Sequence, residues 1–117
     1  MSKSILKDKS YAFAILIVKL SQSLVNEKKE YVLTKQLLRS GTAIGALIRE
    51  AEFAQNKADF IHKMSISLKE ANETLYWLDL LRDTDYVTEE THLIHCNLNS
   101  ELVAMLVSSI KTTKSKI

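Results

Sequence analysis

His92, His95 and Cys96 lie close together in the chain, and at helical spacing the two imidazoles share a face. Such a trio offers a metal at most three ligands, whereas a closed structural zinc site takes four. The expectation is therefore two half-exposed imidazoles and a partly buried thiol, with no metal and no cofactor. Ferritin-like di-iron bundles need a Glu-x-x-His pair on each of two helices, and His62, His92 and His95 do not supply two. The sequence also contains no phosphate-binding glycine loop, nucleophile elbow, zinc-protease helix motif or dinucleotide fingerprint. A protein that is not an enzyme is expected.

The second chemical constellation is ionic. Arg39 borders a stretch of small residues, Glu70 borders the core seam of the third helix with Glu73 beside it, and Glu50 lies further along Arg39's own helix. Two readings stand side by side: a solvated surface pair, or a buried or interfacial Arg–carboxylate network that fixes helix register. Lysines form the third group. Lys28, Lys29 and Lys35 gather at the first corner, and Lys111, Lys114 and Lys116 gather at the end of the chain. They are the candidate contacts for a phosphate backbone, although Glu27 and Glu30 interrupt the first cluster. Sixteen basic against 14 acidic residues leave a net charge of only +2, too balanced to identify a nucleic-acid or membrane partner by charge.

The elements that must hold these groups are helices. The chain has no proline and two glycines, so it lacks the residues that punctuate hairpins and βα loops. Four segments carry 3–4 spacing of apolar residues, predicting helices over Leu6–Val25, Tyr31–Phe53, Lys57–Arg82 and Glu89–Lys111. Leu6, Phe13, Ile17, Leu20 and Leu24 form the inner stripe of the first, with Tyr11, Ile15 and Val18 beside it. Leu37, Gly41, Ile44, Ile48 and Ala51 mark the second. Ile61, Met64, Leu68, Ala71, Leu75 and Leu78 mark the third, and Leu98, Leu102, Met105, Leu106 and Ile110 the fourth. Asn56 and Thr88 read as N-caps. Gly41 and Gly45 each cost about 1 kcal/mol in a helix interior, which predicts compensation by close approach of another helix.

Helices of this length with short corners pack as antiparallel neighbours. The expected fold is all-α, an up-and-down antiparallel four-helix bundle in a single domain over residues 1–117, with a frayed tail from about Thr112. Tyr11, Ile15, Phe60, Tyr76 and Trp77 exceed what one bundle core would use, predicting contact with further copies of the chain in a homo-oligomer. One cysteine permits no internal disulfide. The longest apolar run, Ala12 to Val18, falls short of a membrane span, and Lys7, Asp8 and Lys9 interrupt any signal-like stretch. A cytoplasmic protein without a membrane partner is expected.

The run Gln36-Leu37-Leu38-Arg39-Ser40-Gly41-Thr42-Ala43-Ile44-Gly45-Ala46, followed by Ile48-Arg49-Glu50-Ala51, closely resembles the four-helix-bundle family of 23S rRNA intervening-sequence proteins. Ala58-Asp59-Phe60-Ile61-His62-Lys63, Leu68-Lys69-Glu70-Ala71-Asn72-Glu73-Thr74 and Tyr76-Trp77-Leu78 look like that family's third helix. The chain departs from the family pattern at Ala43 and Leu47, where Ser and Asn are usual. The family is in turn similar to the accessory protein of diversity-generating retroelements, a pentameric barrel of four-helix bundles that binds a reverse transcriptase and nucleic acid. The resemblance thus implies a cyclic homopentamer, with RNA or DNA as ligand and a reverse transcriptase or ribonucleoprotein as partner. The competing expectation is a structural protein–protein interaction module with no nucleic-acid ligand.

Overall fold

Each break in the helical pattern becomes a tight corner. The computed structural model describes residues 2–116, with side chains from Ile5 onward. It contains α1 (Ser2–Lys28), α2 (Val32–Ala51), α3 (Lys57–Asp83) and α4 (Glu89–Ser115), and no strand among the described residues. Side-chain pairings fix the directions. Gly41 faces Ile17 while Gly45 faces Ser10, so α2 runs antiparallel to α1. Ser40 pairs with Thr74 and Ile44 with Ser67, Ala71 with Asn99 and Asp79 with His92, and Lys9 with Glu101. The result is an up-and-down bundle of 50 × 21 × 20 Å.

The corners show how a chain so poor in glycine turns. Helix α1 continues through Asn26 to Lys28, and Lys29 takes a left-handed conformation at φ 56°, letting the Glu30 amide reach back to the Leu24 carbonyl. This closes the helix in the manner glycine usually provides. Asp85 does the same after α3, at φ 67°, with the Tyr86 amide on the Leu81 carbonyl. Asn56 accepts from the Asp59 amide and Thr88 from the Thr91 amide, so both expected N-caps are present. Helix α4 stays helical through Ser115, past Thr112, and Thr113 Oγ1 bonds the Ser109 carbonyl within it.

The α2 stripe lies in the core as its spacing predicts: Leu37, Gly41, Ile44, Ile48 and Ala51 are all buried. The α3 seam differs. Met64, Ser67, Ala71, Thr74, Leu78 and Leu81 are the buried residues, whereas Leu68 only flanks the core and Leu75 is exposed. Ser67 donates to the Ile44 carbonyl at 2.9 Å, and Thr74 bonds Ser40 Oγ and the Glu70 carbonyl. Only small side chains that satisfy their own hydroxyls can stand where α3 lies this close to α2, so both leucines turn aside. Gly41 and Gly45 keep the same closeness toward α1. A Cβ on Gly41 would lie 2.8 Å from Ile17, and one on Gly45 would lie 3.3 Å from the Ser10 carbonyl oxygen.

Helix α4 is long and apolar enough to cross a membrane by length and composition, a property that core helices of bundles share. Here its inner face is His92, His95, Asn99, Leu102, Leu106 and Ile110, all buried.

Candidate functional site

The ionic constellation is assembled between α2 and α3. Arg39 reaches Glu70 Oε1 through NH1 at 3.1 Å and pairs with Glu73 through NH2. Gln36 lies beside its Nε. Glu73 also accepts from the Trp77 indole N–H at 3.0 Å, and the Trp77 ring meets Tyr76 edge-on at 5.0 Å. The hydrogen bond from Trp77, then that from Arg39, holds the Glu73 carboxyl below its ordinary range. The Glu73 hydrogen bond raises Arg39 in turn. Glu50 does not join this network. It lies three turns further along α2 and pairs with Lys63. Half of the Arg39 side chain remains exposed, so within one chain the network is a surface one.

The residues expected to contact other copies divide into two groups. Tyr11, Ile15 and Tyr76 are exposed. Phe60 and Trp77 pack partly against the core of their own chain. Between α1 and α2 a groove of ≈ 460 Å³ opens along Tyr11, Ala14, Gly45, Ala46, Arg49 and Phe53. Its floor is apolar because Gly45 and Ala46 carry almost no side chain. The Arg49 guanidinium sits 5.5 Å from the Tyr11 ring centre, and Phe53 is 82% exposed at the rim. Periodicity placed Phe53 inside α2, but the helix closes at Ala51, which turns the ring outward.

The six lysines are exposed and do not form one patch. Lys28, Lys29 and Lys35 stand at the end of the bundle where α1 meets α2. Lys111, Lys114 and Lys116 stand at the opposite end, since α4 runs the other way. The acidic Glu30 is not a neighbour of the first cluster in the sense its position suggests. It is buried, and its carboxylate accepts from the Val32, Leu33 and Thr34 amides and the Thr34 hydroxyl. Burial pushes its pKa up, but these bonds outweigh that and hold it below 4.5.

His92 and His95 are buried rather than half-exposed, because α4 turns them inward as its first two core positions. His95 Nδ1 bonds the Thr91 carbonyl at 2.7 Å. His92 Nε2 lies 2.7 Å from Asp79 Oδ1 and 3.3 Å from Cys96 Sγ, and Arg82 NH1 approaches its Nδ1 at 3.4 Å. Burial, then the Asp79 charge, pushes the Cys96 thiol up. Asp79 had no place in the sequence constellation. The i, i+4 pair His92 and Cys96 was the available signal for a shared face, but only the α3–α4 pairing brings in the carboxylate.

A family model described as 23S rRNA-intervening sequence protein matches residues 2–108. The chain is also similar to a crystal structure of a protein with unknown function from the S23 ribosomal protein family of Bacteroides thetaiotaomicron VPI-5482. The two share 56% identity and a TM-score of 0.94, over 95% of this chain and 99% of that one. No curated protein matches the chain.

Proposed function

The chain belongs to the 23S rRNA-intervening sequence protein family, and on that footing we propose that it works as a non-enzymatic, homo-oligomeric accessory protein that contacts RNA or DNA weakly. The observation that carries this reading is the apolar groove between α1 and α2. Tyr11 and Phe53 stand out from it into solvent, and large exposed apolar patches are uncommon on soluble monomers. A different face of a neighbouring copy covers them, since a ring closes only through head-to-tail contacts. In a cyclic assembly, the pentamer being favoured through the family resemblance, each basic end repeats around a rim.

The rim that suits a phosphate backbone is the one bearing Lys111, Lys114 and Lys116, where Lys57 of the α2–α3 corner is also exposed. The other rim places Lys28 and Lys29 at the same end as the exposed acidic residues Asp83, Asp85, Glu89 and Glu90. That acidity supports the second reading, an interaction module with protein partners alone.

Light scattering at micromolar concentration is expected to report an oligomer, which Tyr11→Glu with Phe53→Glu reduces to a monomer. A native monomer would overturn the assembly. Fluorescence titration with single-stranded RNA at low salt is expected to show binding that weakens steeply with salt. The triple variant Lys111→Gln, Lys114→Gln, Lys116→Gln loses it, while the triple variant at Lys28, Lys29 and Lys35 keeps most of it. No binding by the native protein, or equal binding by all three, leaves the protein-partner reading.

A further inference from the structure

We propose that Asp79, His92 and Cys96 form a binding site for a divalent transition metal of the zinc class. The carboxylate, imidazole and thiol atoms all lie within 4.8 Å of one another, and His92 Nε2 touches both of the others. His92 and Cys96 are one turn apart on α4, and Asp79 comes from the antiparallel α3, so the three ligands are held by two packed helices rather than by a loop. A mixed set of one sulfur, one nitrogen and one oxygen suits zinc or cobalt(II), and excludes magnesium and calcium, which take oxygen ligands.

One of the three donor separations already suits a shared metal. Metal–ligand bonds of about 2.0–2.3 Å in a tetrahedron place donor atoms roughly 3.3–3.7 Å apart. The Cys96–His92 separation of 3.3 Å already meets that. Asp79 must draw back from 2.7 Å, and its side chain, 45% exposed, has room to do so. The fourth position opens on that exposed side. Binding moves the Nε2 proton of His92 to Nδ1 and releases the Cys96 thiol proton to solvent, so the site is a dianionic cradle for a dication.

Arg82 opposes this. A guanidinium only donates, so in the metal-free protein it faces an unprotonated Nδ1 and directs the Nε2 proton toward Asp79. With metal on Nε2, Nδ1 becomes a donor and needs an acceptor. Arg82 has other partners to turn to, since its Nε lies 2.9 Å from Asp83 and 3.6 Å from Glu89. The structure thus assigns Arg82 as the residue that sets the affinity, and Arg82→Gln, which supplies a carbonyl acceptor, should tighten binding.

Cobalt(II) added to the reduced full-length protein tests this directly, because Cys96 is the only cysteine and any thiolate-to-cobalt absorption must come from it. One cobalt per chain is expected, with the charge-transfer band and the strong visible bands of a four-coordinate ion, both bleached by zinc. Cys96→Ser removes the charge-transfer band. Asp79→Asn and His92→Gln each weaken binding at least about tenfold, and Arg82→Gln strengthens it by a similar factor. Absence of the band from protein with a helical circular dichroism spectrum overturns the proposal. So does undiminished affinity in Asp79→Asn, which would mean that the thiol binds alone. Asp79 is half-exposed, so that variant carries the test even if His92→Gln fails to fold.

Discussion

Helices α2 and α4 stand on opposite corners of the bundle and solve the burial of polar groups in opposite ways. On α2 and the faces against it the inward polar groups are small hydroxyls, and three of them meet partners: Ser67 the Ile44 carbonyl, Thr74 the Ser40 hydroxyl, Thr34 the Glu30 carboxylate, while Ser21 Oγ of α1 has none among the described residues. On α4 the inward polar groups are large. His92, His95 and Asn99 are buried, Asn99 donates to the Ala71 carbonyl, and its Oδ1 has no partner among the described residues. The close approach at Gly41 and Gly45 leaves room only for small side chains there. The inner face of α4 admits imidazoles and an amide, and leaves chemistry at the α3–α4 seam.

The sharpest way to break this contrast is to add the same bulk to both helices. Gly41→Leu would drive a side chain into Ile17, which is itself fully buried and cannot retreat. Overpacking of this kind costs about 1–3 kcal/mol or more. Asn99→Leu on α4 gives up the hydrogen bond to the Ala71 carbonyl, a loss of about 0.5–1.5 kcal/mol that removal of the buried, unpartnered Oδ1 offsets in part. Thermal unfolding of the two variants should move by clearly different amounts. Equal losses would mean that α2 is no closer to its neighbours than α4.

The start of α2 gives a pH handle in its cap. Helix α4 is capped by the Thr88 hydroxyl, whereas α2 is capped by the Glu30 carboxylate, whose folded-state pKa lies below its ordinary 4.5. A depressed carboxylate contributes stability that is complete above its unfolded pKa and is lost as pH falls through the folded one. Unfolding of the native protein should therefore become easier as pH drops below about 4.5. Glu30→Gln should cost about 0.5–2 kcal/mol at neutral pH, as loss of a cap does, and should flatten that acid limb. An unchanged limb would place the acid sensitivity elsewhere.

Much of the fold was legible because its signals were local. The α2 stripe, the Asn56 and Thr88 caps and the paired glycines each depend on residues a turn or two apart, and the structure keeps them all. The α3 seam was not legible, because Leu68 and Leu75 are the better apolar candidates by type. Ser67 and Thr74 displace them only through what α2 offers across the interface. The same reason hid Asp79, whose partners lie on another helix, and separated Glu50 from Arg39, which share a helix but not a turn. Lys29 shows the limit from the other side: a left-handed helix end is expected at glycine or asparagine, and here the neighbouring Asn26 remains helical while a lysine makes the turn.

The smallest effect expected is also the one that separates the two readings of Arg39. In a single chain its side chain is 49% exposed, and an exposed ion pair contributes about 0.2–1 kcal/mol. Arg39→Ala should therefore lower stability by no more than that, and the loss should shrink as salt screens the pairs with Glu70 and Glu73. Trp77 is the only tryptophan and donates to Glu73, so its fluorescence follows the network during unfolding. A loss well above 1 kcal/mol that survives high salt would require Arg39 to be shielded from solvent. Among the described residues half of that side chain stays open to solvent, so further shielding would come from another copy. The size and salt dependence of one surface substitution thus discriminate a solvated pair from an interfacial network that fixes the register of the assembly.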